Sequence, residues 1–274
     1  MPRQRPAEPF TERTPRVVSA VKLHRGIGRR KAARFLVEGA QAVREALAAG
    51  VVRELFCTAE AIARHPDLAS TAERNGIPVG VVTARAAAAL SDTVSPQGMV
   101  AVCDLLDVPL DQALQDAPQL VAMLVDAGEP GNAGTIIRVA DAAGADAVVL
   151  AGDSVDVHNG KCVRASTGSI FHLPLVRYRD VLGAVELART AGLQVLAAAA
   201  DGEQDLDDAE GLLGKPTAWL FGNEAHGLPS SIAAAADHRV RIPIHGRAES
   251  LNLATAAALC LYASARAQRG TARS

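Results

Sequence analysis

Three short segments hold most of the residues with chemical potential. The first, Glu129-Pro-Gly-Asn-Ala-Gly-Thr-Ile-Ile-Arg138, follows a continuous apolar run and opens a helical pattern. Gly131 and Gly134 let a backbone or ligand approach closely. Asn132 has two readings, a helix N-cap or a side chain offered to a ligand. Arg138 stands among Ile136, Ile137, Val139 and Ala140, where a guanidinium is costly unless it is paired or faces a polar cleft. A buried ion pair and a site cation both fit that position. The second segment, Trp219-Leu-Phe-Gly-Asn-Glu-Ala-His-Gly-Leu-Pro229, carries a buried-strand pattern straight into Gly222-Asn223-Glu224. Glu224 can accept from a sugar hydroxyl or hold an arginine. His226 could titrate near neutrality, although a lone loop histidine is more often solvent-facing. In the third, Ile242-Pro-Ile-His-Gly-Arg-Ala-Glu-Ser-Leu-Asn-Leu253, a strand gives way to a polar loop and then to a long Ala/Leu helix. Ser250 suits an N-cap. Asn252 is a poor residue for a first turn, and Ser-Leu-Asn could offer donors to an adenosine or a phosphate.

The elements around these segments form a rhythm. From Gln119 the pattern predicts strands at Leu120–Val125, Asp146–Leu150, Leu193–Ala199, Ala218–Phe221 and Val240–Ile244, with helices at Gly134–Ala143 and Ser250–Ala267. Apolar runs without alternation suit strands buried on both faces, so repeated β–α units predict a parallel, doubly wound sheet. Ligands bind at the carboxyl ends of such strands, where all three segments fall. Upstream, residues 15–103 read as a small α/β domain. Val17, Val18, Val21 and Leu23 suit a helix, and strands are expected at Phe35–Val37, Val51–Cys57, Val79–Val82 and Met99–Cys103. One helix is expected to run to about Arg74, with Asn75-Gly76 as its C-cap. Residues 104–118, with two prolines and four aspartates, read as a linker to a second domain at 119–269. Residues 1–14 and 270–274 read as tails, the first of them mobile.

Composition narrows the function classes. The 274 residues are 49% hydrophobic and 21% charged, an ordinary globular balance that needs no staples. The four cysteines form no CxxC pair, which argues against a disulfide framework or a zinc site and fits a reducing cytosol. The N-terminus lacks a signal-type apolar region, and the stretch from Leu251 to Ala265 is interrupted and short of the ~20 residues a membrane span needs. These features predict a soluble, cytoplasmic protein with no membrane partner. Charge is uneven: residues 1–34 carry ten Lys/Arg against two acidic residues, although the whole chain is at −2. A basic arm on an acidic body suits a polyanion; a solvated tail is the alternative. Arg25, Arg29, Arg30 and Lys31 beside Gly26 and Gly28 are the candidate phosphate contacts. Gly128, Gly131, Gly134 and Asp153 imitate a dinucleotide fingerprint, but the glycine spacing is one residue too wide.

Taken in order, N-A-G-T-I-I-R, L-F-G-N-E-A-H-G-L and I-P-I…E-S-L-N-L closely resemble the three motifs of the SpoU-type (TrmH-like) RNA ribose methyltransferases of the SPOUT superfamily. Lys161–Ser169 is similar to that family's connecting segment. Phe35-Leu-Val-Glu-Gly39 and Ser95-Pro-Gln-Gly-Met-Val-Ala-Val102 resemble the small substrate-binding domain that precedes the catalytic domain in many ribosomal-RNA members. Glu129 stands where the family more often has Asp. The resemblance implies an N-terminal α/β substrate-binding domain and a mostly parallel SPOUT domain with a deep trefoil knot, a rare exception to un-knotted topology. It implies S-adenosylmethionine held by Gly222, Ile242 and Leu251, with Leu220, Ser250 and Leu253 as neighbours. It also implies a homodimer with the site near its interface, and methyl transfer without a metal. Arg138 would act on the ribose 2′-hydroxyl, with Asn132, Glu224, Ser250 and Asn252 orienting the groups. Because a guanidinium stays protonated to pH above ~12, Arg138 suits stabilisation of a developing alkoxide better than proton abstraction. The implied substrate is RNA, 23S ribosomal RNA ahead of transfer RNA. A non-catalytic RNA-binding protein and a nucleotide-dependent oxidoreductase are the distant alternatives.

Overall fold

The computed structural model describes residues 8–271. The chain divides into two compact units, one containing the residues up to Leu105 together with His158–Phe171, the other Leu106–Val157 with His172 onward. Of the mobile tail expected at residues 1–14, residues 1–7 lie outside the described residues.

The first unit is built on a four-stranded sheet of β1 (Arg34–Glu38), β2 (Val52–Cys57), β3 (Val79–Val81) and β4 (Met99–Asp104). The spatial order is β1-β4-β2-β3. β4 lies antiparallel to β1 and β2, and β2 pairs with β3 in parallel. These strands lie within a residue of the apolar runs that predicted them. The helix expected to run to Arg74 is split into Ala59–Arg64 and Pro66–Arg74, because Pro66 has no N–H to continue the ladder and instead sits at a helix start.

The N-terminal segment is more built-in than its charge suggested. Phe10 pairs with Val82 and its ring lies under the Arg16 guanidinium, 5.3 Å from the ring centroid. The Pro15–Val21 helix and the turn that follows place Val17, Ala20 and Leu23 in a core with Phe56, Leu90 and Val100. Arg29 turns inward: it is 4% exposed and donates to the carbonyls of Leu23 and His24, 3.0 Å each. This guanidinium fastens a turn and is withdrawn from any phosphate, which corrects the sequence-based grouping. Arg25, Arg30 and Lys31 remain exposed.

The second unit holds a seven-stranded sheet. Its strands are β5 (Leu120–Val125), β6 (Ala147–Ala151), β7 (Leu175–Tyr178), β8 (Gln194–Ala198), β9 (Gln204–Asp205), β10 (Thr217–Phe221) and β11 (His238–Arg241). The order is β7-β6-β5-β10-β8-β11-β9, and every neighbouring pair is parallel. β7 and β9, four and two residues long, are too short to show a period in sequence. β11 stops at Arg241, so Ile242–Ile244 are loop and not the expected strand; Pro243 has no N–H to give a ladder. The segment read as a linker contributes a short helix, Leu110–Ala113, whose Leu110 and Ala113 are buried in this unit's core.

The closing helix spans Leu253–Thr271 and packs on the Pro130–Ala143 helix and on β5, β8 and β10. Its fully buried Ser264 accepts from Trp219 Nε1 at 2.9 Å, and Trp219 is itself fully buried. Ser264→Ala removes one buried oxygen and leaves the Trp219 indole N–H without this partner. A buried polar group stripped of its partner costs about 1–3 kcal/mol. We expect chemical denaturation of this variant to show a loss of that size; an unchanged midpoint would mean that the bond contributes nothing net.

Candidate active site

The sheet of the second unit changes direction at β5. The chain steps outward from β5 to β6 and β7, then returns to place β10 on the other side of β5. A crevice opens at such a switch point, outside the carboxyl ends of the strands. The first and second motif segments leave β5 and β10 there, side by side.

Two side chains that the sequence reading passed over hold this junction. Asp126 follows β5 in the left-handed region (φ 52), and its carboxylate accepts from the Asp153 N–H at 2.8 Å. Its carbonyl accepts from Asn223 Nδ2 at 2.7 Å. Asn223 also closes the second segment on itself: its backbone N–H and carbonyl pair with Gly227, and its Oδ1 accepts from Ala225 N–H at 2.9 Å. Gly222 lies beneath that turn, where an added Cβ would sit 2.2 Å from the Gly227 carbonyl carbon. Glycine is required by space here. The signal for Asn223 was in the sequence, as an amide between a glycine and a carboxylate at a strand end.

This turn presents Glu224 to the first segment. Its carboxylate accepts from Gly128 N–H (3.1 Å), Glu129 N–H (3.2 Å) and Asn132 Nδ2 (3.1 Å). Partial burial opposes ionisation, but the hydrogen bonds from Asn132 and the backbone outweigh it and hold the Glu224 carboxyl below its ordinary value. A lowered pKa means that the carboxylate network persists at neutral pH and is lost only as pH falls through that lowered value. Asn132 is not the N-cap of its helix. Glu129 takes that place, accepting from Gly131 N–H at 3.0 Å, and Asn132 is left free to bridge.

The bridge continues to the third segment. Asn252 Nδ2 donates to Asn132 Oδ1 at 3.0 Å. The other end of the same amide, Asn252 Oδ1, accepts from Ala254 N–H (2.9 Å) and Thr255 N–H (3.3 Å) and so caps the closing helix. The expectation of Ser250 as cap and Asn252 inside the first turn is therefore corrected: the helix starts later, at Leu253. Ser250 instead lines a cavity of about 150 Å³ with Ile242, Leu251, Val240 and the Ala198–Ala200 run that ends β8. Of the other candidate cofactor contacts, Leu220 is a buried core residue and Gly222 is enclosed by its turn; neither these nor Leu253 lines the cavity. Glu249, which does line it, was missed.

Arg138 stands apart from the carboxamide chain. Six residues beyond Asn132, it lies about 9 Å further along the helix and about 120° round it. It is exposed, and among the described residues no hydrogen-bond or ion-pair partner is seen for it. That removes the buried ion pair as an explanation of this arginine. His226 is likewise exposed.

Residues 119–262 match the family model described as the SpoU rRNA Methylase family, and residues 14–101 match that of an MRM3-like substrate binding domain. The chain belongs to the SpoU rRNA methylase family. It is 36% identical over 246 residues to the 23S rRNA (guanosine(2553)-2′-O)-methyltransferase RlmP of Bacillus subtilis, covering 88% of this chain and 92% of that one. Among solved structures, an AdoMet-bound rRNA methyltransferase from Sinorhizobium meliloti aligns with a TM-score of 0.84 and 31% identity, covering 94% of this chain and 97% of that one. The SpoU methyltransferase AviRb from Streptomyces viridochromogenes, in complex with AdoMet, gives 0.81 and 32%, covering 94% and 100%.

The SpoU family's cofactor fits the residues present. Ile242, Leu251 and the small alanines at 198, 199 and 200 give the cavity apolar walls suited to an adenine ring, and Glu249 and Ser250 add polar groups. Asn252 then links this cavity to Glu224, which makes its amide testable by halves. Asn252→Asp keeps the cap but sets an acceptor against Asn132 Oδ1; Asn252→Ala loses both. We expect Asn252→Asp to melt near the wild type and Asn252→Ala to lose about 1 kcal/mol, with methyl transfer impaired in both. Full activity in Asn252→Asp would exclude the bridge from function.

Proposed function

We propose that this chain transfers a methyl group from S-adenosylmethionine to a ribose 2′-hydroxyl of 23S ribosomal RNA. The observation that carries this reading is the Glu224–Asn132–Asn252 hydrogen-bond chain, which joins three distant segments, the third of which also lines an adenine-sized cavity. The relatives named above supply the substrate class. Ile242, Ser250 and Leu251 would hold the cofactor, whose sulfonium supplies an activated methyl group.

The remaining work is positioning. Asn132 and Asn252 fix one another's amide orientation, so their polar groups face a ribose in a set direction. Glu224 remains an acceptor across neutral pH. Arg138, a cation with no partner seen among the described residues, supplies charge to the phosphate or to the alkoxide that develops at the 2′-oxygen. In the first unit, Arg25, Arg30 and Lys31 are the exposed cations available to the RNA backbone. Support for 23S RNA over transfer RNA is the substrate-binding-domain match in this unit.

The working form is a homodimer. Leu259 and Tyr262 on the closing helix are 44% and 52% exposed, beside a groove of about 970 Å³ that also takes in Leu206 and Arg266. A second copy is the occupant that the family supports. Four free, buried cysteines and the lack, among the described residues, of a helix long and apolar enough to cross a membrane support a cytoplasmic site of action. The knot implied by the family resemblance belongs to this reading as well, with the closing helix packed back over β5 and β10.

Labelled S-adenosylmethionine and unmodified ribosomal and transfer RNA pools test the whole assignment. We expect label in 23S RNA, at one 2′-O-methyl nucleotide. Label confined to transfer RNA would overturn the substrate. Arg138→Ala should fold and bind the cofactor while turnover falls about a hundredfold or more; near-normal turnover would remove Arg138 from the chemistry.

A further inference from the structure

The segment Ser95-Pro-Gln-Gly98 is not used by the active site, yet it forms one wall of a cleft of about 480 Å³ in the first unit. The other walls are the start of the Ala40–Ala48 helix and the Gly160–Ser166 helix, which belongs to this unit although it lies far along the chain. The walls are fastened to one another. Asp92 pairs with Arg164 across the cleft's end. Gly160 approaches Asp92 so closely that a Cβ there would sit 2.7 Å from Oδ2. Glu38 Oε1 accepts from Ser91 (2.5 Å) and Thr93 (2.9 Å), and Arg64 donates to the Gln97 carbonyl at 3.2 Å. A cleft braced in this way is preformed.

Its chemistry is that of a base-reading site. Gly39 has φ +92, and a Cβ on it would lie 2.9 Å from Gln97 Oε1, so the amide of Gln97 lies flat against bare backbone. That amide is exposed and, among the described residues, has no hydrogen-bond partner, as is also true of the Ser95 hydroxyl. Ala42 adds apolar surface to the same cleft, and Val94 stands fully exposed in the same loop. Arg164 is already met by Asp92, and Glu38 adds negative charge, so the cleft does not suit a phosphate. An amide that both donates and accepts, a hydroxyl and an apolar floor suit the edge and face of a nucleobase. Only an unpaired base can enter, because a paired one has its edge occupied.

We propose that this cleft takes one unpaired nucleobase of the RNA substrate, away from the nucleotide that is methylated, and reads it through Gln97. The proposal rests on the reading that the substrate is RNA. It gives the first unit a role in selecting RNA by local unpaired structure, in addition to backbone charge.

The full-length protein and unmodified 23S RNA are sufficient for the test. Gln97→Ala removes the reading group, and Ala42→Trp fills the cleft; thermal melting and S-adenosylmethionine affinity serve as controls for the fold. We expect Kd and KM for the RNA to rise about tenfold in both variants, with kcat at saturating RNA unchanged. Ultraviolet crosslinking of the wild type should join the 93–97 segment to an unpaired nucleotide. Unchanged Kd and KM in Gln97→Ala, or crosslinks from that segment only to paired nucleotides, would overturn the proposal. A wild type that neither binds nor methylates RNA would instead overturn the assigned function, so the two failures are distinguishable.

Discussion

One carboxylate organises the catalytic unit. Glu224 gathers two backbone N–H groups and an amide from a segment almost a hundred residues away. Without an acceptor there, Gly128 and Glu129 would point two donors at a crevice with nothing to receive them, at a helix entry where donors are already in excess. The carboxylate is kept anionic by the groups it organises, so geometry and charge sustain each other. The orientation of Asn132 follows from it, and the contact with Asn252 follows from Asn132. An asparagine is needed at 252 because its two ends do different work: the oxygen caps a helix and the nitrogen crosses to a neighbouring segment. Aspartate or serine could do only the first.

Much of this was legible in the sequence, for identifiable reasons. β5 reads as six consecutive buried apolar residues, and its limits agree with the pattern. Strands of that kind leave little freedom in placement. The three motif segments were found because glycine, amide and carboxylate side chains cluster at strand ends, where nothing structural demands them all. The roles within the segments were less legible. Which of Glu129, Asn132, Ser250 and Asn252 caps a helix depends on where each helix begins, and local sequence fixes that only to within a residue or two. The small alanines that line the cavity beside Ser250 carry no chemical signal. β7 and β9 have too few residues to show any period.

Charge misled at one point. The basic N-terminal stretch contains a guanidinium that is turned inward for hydrogen bonding, and apolar residues that complete a core. A count of lysines and arginines cannot separate a cation that meets solvent from one that ties off carbonyls. Spacing was the better guide: the apolar residues from Val17 to Leu23 read as helical in the middle of the charge, and Val17, Ala20 and Leu23 form a packed face.

The hydrogen bonds of the active site also bear on how the chain folds. Gly128 meets Glu224 across 96 positions and Asn132 meets Asn252 across 120, in an all-parallel sheet whose neighbours are far apart along the chain. Contacts of this span carry a large loop-closure cost before they return anything, and they form late. During synthesis, the helix that bears Asn132 is complete long before the residues that will orient it have been made. The hydrogen-bond chain that joins the three segments therefore closes only when the start of the last helix is in place.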